Sequence, residues 1–164
     1  MSSYILSFLL ALLLHELGHC LAAQACQVRI SEFGVGWGRK IYGFRVREID
    51  YAMRMLPIGA YVRLDLHQLR KRPLGQQVLV LLAGIIVNLV AASTTTGTYF
   101  SDANFLIAAT NILPLYQQDG WKCGMVMLRG ILKRNSGFVE WTFTIAGSCL
   151  SLVLIAVVVL RMSS

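Results

Sequence analysis

Two histidines and a glutamate inside an otherwise apolar run constrain this chain more than any other feature. The run extends from Tyr4 to Ala25, and His15, Glu16 and His19 are its only acidic or basic residues. They form the pattern His15-Glu16-Leu17-Gly18-His19. On a helix, residues four apart share a face, so two imidazoles at this spacing can grip one zinc ion. Glu16 falls beside that face, where it can take a proton from an attacking water. A charged group at the depth of a bilayer costs several kcal/mol, so a cluster placed there is a functional site before it is packing.

The run is too long for the core of a small soluble domain, and it is not alone. The chain is 56% hydrophobic over 164 residues. Val78–Thr96 and Phe138–Leu160 are also apolar, and each is long enough to cross a hydrocarbon layer of roughly 30 Å. A fourth stretch, Asn104–Tyr116, is shorter and carries Asn111 and Pro114, which suits a re-entrant or interrupted segment. The first run resembles a secretory leader in length, but it has no basic flank at its start and its His-Glu-His cluster does not suit one. The expected fold is a membrane all-α bundle of three full spans and one short interrupted span. A single domain covers residues 1–164.

Charge sets the expected orientation. Ten Lys and Arg residues, from Arg29 to Arg72, lie between the first and second runs. Gly97–Ala103 has none, and Lys122, Arg129, Lys133 and Arg134 precede the last run. The positive-inside rule then puts both basic segments in the cytoplasm and both termini outside, in a bacterial cytoplasmic membrane. The net charge of +7 is juxtamembrane and comes with no nucleic-acid motif, so no nucleic-acid partner is expected. Arg70-Lys71-Arg72 suits an anionic lipid surface. Cys20, Cys26, Cys123 and Cys149 form no C-x-x-C, and neither a disulfide nor a cysteine ligand is expected.

Residues 27–74 differ from the spans. Phe33–Gly38 is rich in glycine and aromatics, and Phe44–Leu64 alternates polar with apolar residues. Short strands are expected, turning near Glu48-Ile49-Asp50, as a small membrane-associated β-hairpin or sheet between the first two spans. Gly120–Gly137 has apolar residues at helical spacing and suits an amphipathic helix at the inner membrane surface.

Two histidines require a further ligand, with one position left open. His67 is the only other histidine, and its basic surroundings suit a solvated surface residue. Glu32, Glu48, Asp50 and Asp65 sit among arginines, and Asp102 lies on the opposite side. Asp119 follows the Pro114-interrupted segment, and tracing the chain brings it to the same side as His15 and His19.

These residues resemble the site-2 protease family of intramembrane zinc metalloproteases. His15–His19 matches its H-E-x-x-H. Asn111, Pro114, Asp119 and Gly120 match N-x-x-P-x-x-x-x-D-G. Leu56–Val62 is similar to the Pro-Leu-Gly-Gly-Tyr-Val stretch that follows the first span, and Phe33–Gly38 to the Gly-rich loop before it. Gly84–Asn88 is similar to G-P-x-x-N, with Ile85 in place of proline and a local bend in question. The family's PDZ and CBS domains have no counterpart here.

The resemblance implies an intramembrane zinc endopeptidase. Its zinc (Zn2+) would be held by His15, His19 and Asp119, with Glu16 as the base. Its partners would be the lipid bilayer and a single-span or membrane-tethered peptide, cut near the cytoplasmic face. Asn88 and Asn111 could hold the substrate strand or the oxyanion; their other role would be hydrogen bonding between helices. A substrate helix must unwind before cleavage, and an edge strand containing Tyr51, Ala52 and Met53 could pair with it. The competing class is non-catalytic: a metal carrier or a helix-binding relative. A carrier should spread its ligands through the membrane depth, and a degenerate relative should lack Glu16.

Overall fold

The computed structural model describes residues 2–132 and 137–163. Their elements are α1 (Ser2–Ala25), β1 (Ile30–Val46), β2 (Ile49–Leu64), α2 (Leu66–Arg70), α3 (Leu74–Thr94), α4 (Tyr99–Ile112), α5 (Asp119–Leu132) and α6 (Gly137–Ser163). Two compact units result, Met1–Ala109 and Thr110–Ser164. Two of the helices, over Ser3–Ala25 and Leu74–Thr94, are long and apolar enough to cross a membrane. The third expected span falls on α6, and Lys133 and Arg134 lie outside the described residues.

In the first unit α1 packs against α3, most closely at Gly18. A Cβ on Gly18 would stand 2.8 Å from the Ala83 carbonyl oxygen. Small residues let helix backbones approach in this way. Ala11 meets Ala103 and Ile107 of α4, with Leu12 and Phe100 packed beside them. The burial pattern combines an apolar core with buried polar groups and exposed large apolar ones. His15, His19, Asn88 and Asn104 are buried, while Leu17, Leu21, Leu79, Ile86 and Leu89 are exposed. Polar groups gathered inside and large apolar groups outside are what a lipid environment selects. α3 runs unbroken through the buried Ile85, the position where the family pattern has proline.

The sheet differs from a plain hairpin. Two long strands pair through a two-residue connection, Arg47-Glu48, with Val46 opposite Ile49 and Arg47 at a φ of 55°. The turn thus falls earlier than Glu48–Asp50. Both strands then fold back. Glu32–Val35 pairs on one side with Arg63–Ala60 and on the other with Asp50–Met53. Gly36, Gly38 and Gly59 take φ values of 94°, 90° and 90°, conformations that glycine reaches without a Cβ penalty. On Gly36 a Cβ would also strike the Leu56 carbonyl.

One consequence overturns an expectation. Tyr51 is opposite both Phe33 and Phe44, Ala52 opposite both Gly34 and Gly43, and Met53 opposite both Val35 and Tyr42. Tyr51, Ala52 and Met53 are therefore interior to the sheet, with their backbone groups already paired, and cannot take up a substrate strand. Residues 60–64 and 42–46 form the sheet's edges. Glu32 locks the arms together. It accepts hydrogen bonds from Tyr61 Oη and Arg54 Nη2 and pairs with Arg63 Nη1 at 2.9 Å.

After the sheet, Asp65 caps the short α2 by accepting from the Gln68 amide at 3.0 Å. An acidic side chain three residues before the amide it caps is an ordinary helix start.

In the second unit, Leu113-Pro114 ends α4, because the residue before proline is driven out of the helical region; α5 begins at Asp119. Gly120 lies so close to the Ile112 carbonyl that a Cβ would overlap it. α5 and α6 pack at glycines, Gly124 against Phe143 and Gly147 against Trp121. Arg129 Nε meets Glu140 Oε1 at 2.8 Å.

Candidate metal centre and catalytic base

One helical turn separates His15 from His19, and both rings are buried, at 4% and 6% exposure. Each uses Nδ1 to bond an oxygen on α3. His15 Nδ1 lies 3.0 Å from Asn88 Oδ1, and His19 Nδ1 lies 2.7 Å from the Val80 carbonyl. A carbonyl oxygen can only accept, so Nδ1 carries the proton in each ring and Nε2 carries a lone pair. The two Nε2 atoms are 3.2 Å apart. Two lone pairs cannot bond each other, but at this spacing both can point at one metal ion. Neutral imidazoles with Nδ1–H tied to oxygen are the usual preparation for metal ligation. The donor set therefore fits zinc.

Gly84 makes this convergence possible. A Cβ there would stand 2.6 Å from His19 Nε2 and 2.7 Å from His15 Cε1. Its sequence signal was the four-residue interval to Asn88, which puts both on one face of α3.

Glu16 is half-buried, and its Oε2 accepts from the Val62 amide at 3.0 Å. The candidate base is thus held by an edge strand of the sheet, a link between distant segments that no local pattern reveals.

Asn88 is wholly buried, and both ends of its amide are engaged. Oδ1 takes the His15 proton, and Nδ2 donates to the Ala11 carbonyl at 3.2 Å and to Asn104 Oδ1 at 2.9 Å. Of its two expected roles, bonding between helices is the one observed, and it engages both hydrogens of the Asn88 amide. Asn111 belongs to the last turn of α4 and is half-buried. His67 is exposed on α2, as its surroundings implied. Asp119, in the second unit, is buried at the start of α5, and its Oδ1 accepts from Lys122 Nζ at 2.9 Å. A carboxylate in the first turn also meets the positive end of the helix.

The sequence profile of Peptidase family M50 matches residues 3–103, which carry α1, the sheet, α3 and the start of α4. The chain belongs to this family, in agreement with the site-2 protease resemblance of its motifs. A protein of Clostridium acetobutylicum, named as a zinc metalloprotease, is 34% identical over 97 residues; the match covers 54% of this chain and 29% of that one. The zinc metalloprotease RasP of Bacillus licheniformis is 42% identical over 62 residues, covering 38% and 15%. The regulator of sigma-W protease RasP of Bacillus subtilis is 40% identical over 62 residues, with the same coverage. The chain thus spans under a third of the length of these relatives.

Proposed function

We propose that this protein is a membrane-embedded zinc endopeptidase, with His15, His19 and Asp119 as zinc ligands and Glu16 as general base. The observation that carries the reading is the pair of His15 and His19 Nε2 lone pairs, 3.2 Å apart, with both Nδ1 protons committed to α3. Membership of Peptidase family M50 supports it.

When bound, zinc polarises the scissile carbonyl and acidifies the attacking water. Glu16, whose Oε2 accepts from the Val62 amide, takes the proton of that water and returns it to the leaving amide nitrogen. The Val62 amide fixes the angle of the carboxylate so that proton transfer needs no search. Gly84 keeps side chains off the two imidazoles.

The substrates we propose are single-span or membrane-tethered peptides, consistent with a relative named as a regulator of sigma-W protease. Cleavage falls near the cytoplasmic face, within a fold of three spans and one interrupted span that acts as one domain over residues 1–164. Asn111 remains the candidate contact for the unwound peptide. With Tyr51–Met53 interior, main-chain pairing is assigned to residues 60–64, the edge that holds Glu16.

The test is metal content and cleavage measured together on the purified full chain. About one zinc per chain is expected, with most of it lost in His15→Ala, His19→Ala and Asp119→Ala. Full zinc in Asp119→Ala would remove that residue from the ligand set.

A further inference from the structure

A buried relay of amides runs behind His15. Asn104 Nδ2 donates to the Phe100 carbonyl at 2.8 Å, Asn88 Nδ2 donates to Asn104 Oδ1 at 2.9 Å, and Asn88 Oδ1 accepts from His15 Nδ1 at 3.0 Å. Asn88 and Asn104 are both 0% exposed. The relay crosses from α4 through α3 to α1 and starts at a backbone carbonyl, which can only accept.

We infer that Asn104 is a positioning residue for metal binding: it fixes which end of the Asn88 amide faces His15, and so which nitrogen of His15 carries the proton and which the lone pair. The inference rests on the zinc reading above.

An asparagine amide is nearly symmetric in shape, and turning it over exchanges donor for acceptor. A reversed Asn88 would present its NH2 to His15. The imidazole proton would then move to Nε2, and the lone pair needed by the metal would be lost. Two acceptors prevent the reversal. Ala11 O and Asn104 Oδ1 meet the two hydrogens of the same NH2 group, and a reversed amide would set oxygen against both. Asn104 is itself held by Phe100, so its oxygen cannot turn away. His19 bonds a backbone carbonyl directly and requires no relay. The two ligands therefore respond differently to the same change.

The experiment is nitrogen NMR of the imidazoles in metal-free full-length protein, paired with zinc affinity by chelator competition. In the unaltered protein His15 should be protonated at Nδ1; an Nε2-protonated His15 overturns the proposal with no variant needed. Asn104→Leu should mix the His15 tautomers, leave His19 unchanged and weaken zinc by on the order of 10–100-fold. Asn104→Asp keeps an accepting oxygen at the same volume and should preserve the His15 tautomer; its loss there overturns the proposal. In an Asn88→Asp background both carboxylate oxygens accept, so orientation no longer matters and Asn104→Leu should cost no further zinc affinity. An equal loss in both backgrounds makes Asn104 mere packing and overturns the proposal. A protein that binds no zinc yet shows the expected tautomers refutes the zinc reading and leaves the relay standing.

Discussion

Glu16 is a carboxylate held on the Val62 amide and proposed as the base, which defines what its replacement removes. Glu16→Gln keeps the size and the helix but cannot take a proton. Zinc content should be unchanged, and cleavage should fall by about 10²–10⁴-fold, the usual cost of losing general-base catalysis. Zinc titration beside a cleavage assay separates the two. Gly84→Ala is the complementary change. Its Cβ would stand 2.6 Å from His19 Nε2, so both imidazoles must move or α3 must retreat from α1. Zinc affinity should fall while the helical content measured by circular dichroism stays. Retained affinity would mean that the rings are not held where α3 places them.

Among the elements, α1 was readable because its message is local: an apolar run and an i, i+4 pair suffice to define a helix and the face its two histidines share. The break at Pro114 was readable for the same reason. The sheet was only half readable. Alternation from Phe44 to Leu64 gave strands, but it could not reveal that Gly36, Gly38 and Gly59 turn each strand back on itself. That folding moves Tyr51–Met53 from edge to interior, and register between distant segments has no local signature. The roles of Asn88 and Val62 were hidden likewise, since each depends on how one element seats on another. Met53→Pro tests the sheet. Met53 is paired with Val35 and Tyr42, and proline removes an interior ladder bond. Protease sensitivity across residues 30–64 should rise sharply; unchanged protection would place Met53 at an edge. Acid should loosen the same arms. The Tyr61 hydroxyl, then Arg63 and Arg54, hold the Glu32 carboxyl below its ordinary value against burial, which raises it. A lowered folded value means that this contribution is complete above the unfolded pKa of about 4.3 and is lost as pH falls through the folded value. Glu32→Gln should abolish that part of the acid response, measured by the same protease sensitivity against pH.

For the whole molecule, buried polar residues beneath an apolar outer surface are the governing feature. His15, His19, Asn88 and Asn104 lie within the first unit, and leucines cover the outside of its two long helices. Such a surface suits lipid, and the basic loops predict which way the chain faces. Reporter fusions near Arg70 should read as cytoplasmic and fusions at Gly97 as non-cytoplasmic. The reverse would put the His15–His19 end of α1 at the opposite face. The central claim is that zinc and Glu16 together cut peptides inside a membrane. Its most direct measurement is the purified full chain in liposomes with single-span peptides, with products identified by mass spectrometry. Cleavage should fall within the apolar segment near one face, stop on chelation, return with zinc and be lost in Glu16→Gln. Cleavage that persists under chelation and in Glu16→Gln would contradict the account.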